Sequence, residues 1–345
     1  MGSMLDLQQV VLFKELLVEN RKDTVHGRAF EAVLIWHPNT GAGVMRLRVG
    51  NEEIPYPLFT MSGRLRMSGL NDHSIAEIVD EESLKEAKTE EDLYGHIRDS
   101  LAAFENSIRS NFEALTKYEM LRGESPSLPP IVAAIEGASA TGKSLVALEL
   151  IHDLIATRFI STDSIRQILR GLISQESHPE LFCHTYQACK HRQVGPTDLD
   201  PRVRGFLAQC EIITPHVIGM IERLVAEGTM AVVEGVHLEP GKLQTLSSGV
   251  VEILLNPNPE THRSMFTSKC SIGKLKTVSE ELCVRESEFE DTRVIQDYMI
   301  KEAEKSGVTI LPLTEYDETR KKVYSIIVSK VERLLHSFED GADRQ

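Results

Sequence analysis

The chain has 345 residues, 41% hydrophobic and 26% charged, which is enough apolar material for two ordinary domains of roughly 100–200 residues each. A formal net charge of −14, from 38 basic and 52 acidic residues, argues against a sequence-independent grip on nucleic acid. No apolar run reaches the roughly 18–20 residues that span a bilayer, and five cysteines without C-x-x-C spacing fit free thiols, so a cytoplasmic protein with no membrane partner is predicted.

Residues 5–122 read as a small α+β domain. Phe30–Trp36 is a strongly apolar strand candidate, and Asn39–Gly43 a turn. Val44–Val49 alternates apolar and polar, as a half-buried strand does, and Ile54-Pro55-Tyr56 returns as a short strand. From about Thr60 the period becomes helical, with Leu65, Leu70, Ile75, Ile78 and Val79 on amphipathic faces and Gly69 as a stop between helices. One further helix is predicted from about Glu90 to Glu119. Residues 123–130, rich in Pro, Ser and Gly, read as a linker. Beyond it, Ile131–Ile135, Arg158–Ser161, Met230–Glu234, Val250–Leu255 and Thr309–Leu313 are strand candidates separated by helical stretches. Such alternation predicts a parallel sheet covered by helices on both faces, a three-layer α/β sandwich over residues 131–338.

Gly137-Ala138-Ser139-Ala140-Thr141-Gly142-Lys143-Ser144 satisfies G-x-x-x-x-G-K-[ST], with an apolar strand before it and a helix from Lys143 through Leu145 and beyond. Glycines let the backbone curl so that several N–H groups face one anion, and the helix adds its positive N-terminal end. Lys143 neutralises charge on the outer phosphates and the Ser144 hydroxyl is a ligand for Mg²⁺, so a P-loop of the kinase and NTPase type, binding ATP and Mg²⁺ through residues 137–145, is predicted. Downstream, Asp163 closes a strand and Arg166 follows on the next helix. Ligands of open parallel sheets bind beyond the carboxyl ends of strands, so Asp163 is aimed at the same crevice as Lys143. It is predicted to take a substrate proton or hold Mg²⁺, with Arg166 forking onto an anionic group. Glu234 closes another apolar strand as a second Mg²⁺-holding acid, and His237 is predicted to face the substrate. His262, Arg263, Lys269, Lys274, Lys276, Arg285 and Arg293 form a cation-rich segment with Gly273 as a bending point, the composition of a lid that excludes water and stabilises transferring phosphoryl. A small anionic substrate is predicted. Homo-oligomerisation is left open.

Four blocks, Gly137–Ser144, Ser161–Arg166, Val233–Leu238 and Phe289–Tyr298, resemble the 2-phosphoglycerate kinase family over most of the chain, and Glu53–Ile78 more loosely resembles an ATP-cone, a nucleotide-binding regulatory module. The resemblance implies transfer of the γ-phosphoryl of ATP to the 3-hydroxyl of 2-phosphoglycerate, giving 2,3-bisphosphoglycerate. Asp163 would take the hydroxyl proton, and Arg166, His184, His237, Arg263 and Arg293 would contact the substrate. Where the family has Ser-Ser after a histidine, this chain has His184-Thr185-Tyr186, and its lid carries Lys269, Cys270, Lys274 and Lys276 in place of arginines. These departures motivate two alternatives: a kinase for another phosphorylated polyol such as an inositol phosphate, and an ATP-binding switch without an acceptor.

Overall fold

The computed structural model describes residues 44–49, 52–80, 84, 87–273 and 281–342. The strand candidate Phe30–Trp36, the turn before Val44, and Lys274 and Lys276 lie outside them.

Strands β1 (Val44–Val49) and β2 (Glu52–Pro57) pair antiparallel, Leu47 opposite Ile54. Helices α1 (Leu58–Ser68) and α2 (Asp72–Ile78) follow, separated at Gly69, whose φ of +116° is a backbone state that side chains disfavour. The single helix predicted over 90–119 is instead two, α3 (Glu90–Leu101) and α4 (Asn106–Glu124). No glycine or proline marks the break. The chain reverses there so that Leu93, Ile97 and Leu101 of α3 and Phe112 of α4 bury into one core with Leu47, Met61, Leu65 and Ile75. Thr89 caps α3 reciprocally with Asp92, which fixes its start.

Helix α4 runs through Glu124, and the segment after it is pinned: Leu128 is buried and the Tyr118 hydroxyl donates to the Pro129 carbonyl at 2.6 Å.

Five strands then form one all-parallel sheet in the order β4-β5-β3-β6-β7: β3 (Val132–Glu136), β4 (Arg158–Ser161), β5 (Ala231–Gly235), β6 (Val250–Leu255) and β7 (Thr309–Leu311). The predicted α/β sandwich is present. Strands β3, β5 and β6 are buried on both faces, which is why they read as unbroken apolar runs. One face, through Ala133, Ile135, Ile253 and Leu255, packs on α5 (Lys143–Asp153), α10 (Tyr316–Ala342) and the inner side of α4. The other, through Val132, Ala134 and Val233, packs on α6 (Thr162–Leu172) and α7 (Pro201–Ala226). Helices α8 (Pro259–Gly273) and α9 (Leu282–Ser306) complete that side through Phe266, Phe289 and Met299. Two short 3₁₀ helices, Pro179–Phe182 and Thr185–Lys190, lie between α6 and α7. No helix of the described residues is long and apolar enough to cross a membrane.

Candidate active site

Sheet register assembles the site. Ile135 of β3, Glu234 of β5 and Ser161 of β4 stand side by side in the ladder. The loops that leave β3, β4 and β5 therefore open at one carboxyl edge, where an α/β sheet holds its ligands.

After β3 the chain turns through Gly137–Gly142 into α5. Gly142 is the helix N-cap at φ +86°, and a Cβ there would stand 2.7 Å from Leu313 Cδ2. Ala140 also takes a left-handed conformation, φ +64°. Thr141 Oγ1 donates to the Ala138 carbonyl at 3.1 Å, closing the loop on itself. Lys143 is nearly buried, and its ammonium donates to the same carbonyl at 3.3 Å. The Ser144 hydroxyl donates to Glu234 Oε2 at 3.1 Å. Leu145 exposes its side chain, while its amide bonds the Gly142 carbonyl. The first N–H groups of a helix lack the carbonyl four residues earlier that later ones bond, which makes the start of α5 attractive to an anion.

Glycine at 235 brings the end of β5 against the start of α6: a Cβ there would fall 1.8 Å from Thr162 Oγ1. Asp163, in the first turn of α6, keeps 62% of its side chain exposed and pairs with Arg166 at 3.0 Å. The N-cap of α6 is Ser161, which makes no side-chain capping bond. Arg166 reaches the Cys183 carbonyl at 3.5 Å and Thr185 Oγ1 at 3.4 Å, both long contacts. Its buried Nε has no hydrogen-bond partner among the described residues.

His237, predicted to face the substrate, has no exposed surface. Its Nε2 donates to Gln209 Oε1 at 2.8 Å and its Nδ1 accepts from Thr162 Oγ1 at 3.2 Å, with Thr185 Oγ1 at 3.4 Å. Burial, reinforced by the nearby Arg166 guanidinium, pushes its pKa down to about 3. A neutral imidazole thus ties α6, α7 and the 3₁₀ segment together beneath the site. His184 lies at the start of that 3₁₀ segment, its ring stacked on Tyr186 at 5.2 Å.

The cation-rich segment is an α8–α9 hairpin, and its described arginines each have an acidic partner. Arg263 lies 4.8 Å over the Phe289 ring and pairs with Glu286 and Glu290. Arg293 pairs with Asp297 at 2.7 Å and donates to the Pro257 carbonyl at 3.3 Å. Arg285 is buried, paired with Glu288 at 2.8 Å. His262 is buried too, and its Nε2 donates to the Ser139 carbonyl at 2.8 Å.

Curated 2-phosphoglycerate kinases match the chain: that of Methanocaldococcus jannaschii at 30% identity over 66% of this chain and 73% of its own length, and that of Methanothermobacter thermautotrophicus at 30% over 67% and 76%. The Methanopyrus kandleri enzyme matches at 28% over 83% of this chain and 88% of its own. The chain belongs to the 2-phosphoglycerate kinase family. Membership makes it a kinase, a phosphotransferase. No protein-family profile matches the chain. A solved structure of an uncharacterised protein from Eubacterium ventriosum overlaps 58% of this chain and 98% of its own at 10% identity and a TM-score of 0.35, a likeness too loose to bear on the fold.

Within this family member, two residues at the loop escaped sequence reasoning as site residues. Gln296 Oε1 accepts from the Ala138 amide at 2.8 Å, and His262 holds the next carbonyl. Gln296 stands in the Phe289–Tyr298 block that carries the family resemblance, and that was its only signal. Gln209, buried in the middle of α7, had none beyond being a polar residue on an apolar helix face.

Proposed function

We propose that this kinase transfers the γ-phosphoryl group of ATP to the 3-hydroxyl of 2-phosphoglycerate, forming 2,3-bisphosphoglycerate. The observation that carries the reading is the shared carboxyl edge of β3, β4 and β5, where the 137–144 loop, the Ser144–Glu234 pair and the Asp163–Arg166 pair open together. Relatives named for this substrate support the acceptor.

In this reading the loop amides and Lys143 hold the triphosphate. Ser144 and Glu234 are the oxygen donors for Mg²⁺, and Asp163 is left as the base. The two donors fit it, because the Ser144 hydroxyl and a Glu234 carboxylate oxygen already meet at 3.1 Å beside the loop. Mg²⁺ typically shares its shell with waters and substrate phosphates. Bound there, it would neutralise charge on the β- and γ-phosphates. Arg166 receives the carboxylate or phosphate of the acceptor. Its long contacts and unpartnered Nε leave donors to redirect. Asp163 takes the proton as the acceptor hydroxyl oxygen bonds to the γ-phosphorus and the bond to the β-bridging oxygen breaks, releasing ADP. Residues 131–338 carry this chemistry, and residues 5–122 form a regulatory module, a division supported by the separate core around Met61, Leu93 and Phe112.

The test is ATP turnover with Mg²⁺, with and without 2-phosphoglycerate, the product identified by phosphorus NMR. Acceptor-dependent ADP release with a new 2,3-bisphosphate signal is the expected result. Turnover only with an inositol phosphate or another phosphorylated polyol would reject the acceptor while keeping the kinase.

A further inference from the structure

The phosphate loop is held from outside by two side chains more than a hundred residues away in sequence. Gln296 of α9 uses both ends of its carboxamide: Oε1 accepts from the Ala138 amide at 2.8 Å, and Nε2 donates to the Leu255 carbonyl at the end of β6, at 3.0 Å. His262 of α8 donates from Nε2 to the Ser139 carbonyl at 2.8 Å, its ring set edge-on to Phe289 at 5.2 Å. Neither residue has exposed surface. The two bonds fall on consecutive residues immediately before Ala140, whose left-handed backbone is unfavourable for any residue but glycine. Such a conformation persists only where its surroundings over-determine it.

Both clamps come from two helices joined to each other by Arg285. Arg285 of α9 donates to the Phe266 carbonyl of α8 at 2.6 Å, and its guanidinium lies 3.9 Å over the Phe266 ring. The hairpin that carries the lid cations therefore grips the loop at its base.

We propose that His262 and Gln296 are positioning residues for phosphoryl transfer: they hold the 138–140 turn in the form that receives the ATP phosphates, coupling the α8–α9 hairpin to the loop. The proposal rests on the reading of residues 137–145 as the ATP site. Neither side chain need touch the nucleotide, because each acts through a backbone group of the loop.

The test compares His262→Gln, His262→Asn and Gln296→Met with wild type, measuring Mg·ATP affinity by calorimetry, KM for 2-phosphoglycerate, and thermal unfolding. Glutamine can place an amide near the original Nε2, and asparagine is too short. His262→Asn is expected to weaken ATP binding about tenfold, the scale of one lost hydrogen bond, with His262→Gln recovering most of it. Gln296→Met is expected to lose at least as much, and the acceptor KM to stay within about twofold in all three variants. A merely structural role would lower the unfolding temperature equally in His262→Asn and His262→Gln while leaving ATP affinity at the wild-type value, and that result overturns the proposal. If Gln296→Met does not fold, the histidine pair decides. A wild type that does not bind ATP would instead overturn the underlying site reading, and this inference with it.

Discussion

The Ser144 hydroxyl donates to Glu234 Oε2 at 3.1 Å, joining the first turn of α5 to the carboxyl end of β5. A hydroxyl from the phosphate loop and an acid from the neighbouring strand thereby present two oxygen atoms to one point. Glutamine at 234 could still accept that hydrogen bond but brings no charge. If Glu234 helps hold Mg²⁺, Glu234→Gln is expected to keep the fold, raise the Mg²⁺ concentration for half-maximal turnover, and lower kcat by about tenfold or more, since it removes the anion that would face the cation. A magnesium titration of initial rates checks this, and an unchanged magnesium response would remove Glu234 from the metal site.

Asp163 is the most exposed acid of the site, and its pairing with Arg166 orients it. If it accepts the acceptor's proton, Asp163→Asn should lower kcat on the order of 10²-fold while ATP affinity holds. Arg166→Lys should mainly raise the acceptor KM, because an ammonium cannot fork onto a carboxylate or phosphate. Steady-state kinetics of both variants, with ATP affinity measured separately, distinguish the two roles.

Two buried histidines make the fold acid-sensitive. Burial drives His237 down to about 3 and His262 down to about 4, against an ordinary value near 6.5. Below pH 6.5 the unfolded chain takes up protons that the folded chain refuses, so the folded state loses stability as pH falls from about 6.5 toward 4. The full loss would be roughly 1 kcal/mol per pH unit for each histidine, and less where burial relaxes. Thermal melts from pH 8 to pH 4.5 should show unfolding temperature falling through this window. His237→Asn should flatten the slope, and an identical slope in that variant would place the acid sensitivity elsewhere.

Gly205 of α7 faces the backbone of the 3₁₀ segment so closely that a Cβ would stand 2.2 Å from the Cys189 amide nitrogen. That segment carries Thr185 and follows His184. Gly205→Ala has no flexible side chain to push aside, so one backbone must move. We expect about 1–3 kcal/mol of destabilisation and a raised acceptor KM, with ATP affinity largely retained. Chemical denaturation together with the two Michaelis constants tests this, and wild-type stability would mean the two backbones part without strain.

Strands β3, β5 and β6 were legible in the sequence because burial on both faces leaves an uninterrupted apolar signature, and the turn from β3 into α5 was legible because its glycine pattern is confined to a few adjacent residues. Asp163, Arg166 and Glu234 followed from strand ends, whose position in a parallel sheet is set by topology. What escaped reading was long-range and polar. Gln296 meets Ala138 across 158 positions. His262 looked like one lid cation among several, yet it is a buried donor to the loop. His237 has the position predicted for it, at the end of β5, but not the exposure. The break between α3 and α4 was invisible because it serves a shared core instead of a local breaker residue.

Asp153 closes α5, the helix that Lys143 opens. Its carboxylate is buried, with Arg66 of α1 on one oxygen and the Tyr324 hydroxyl of α10 on the other. Arg66 also binds Asp72 of α2 at 2.8 Å. A buried anion stripped of its cationic partner is strongly destabilising. The arginine that neutralises this one belongs to the amino-terminal half of the chain, so severing the chain near residue 130 would do more than discard a neighbour. It would uncover Asp153, whose backbone lies against Gly63 of α1, and leave its carboxylate with Tyr324 but without its arginine, at the far end of the helix that Lys143 opens. One ion pair thus ties α1 to the far end of α5, and a carboxy-terminal fragment cut near residue 130 would lack it.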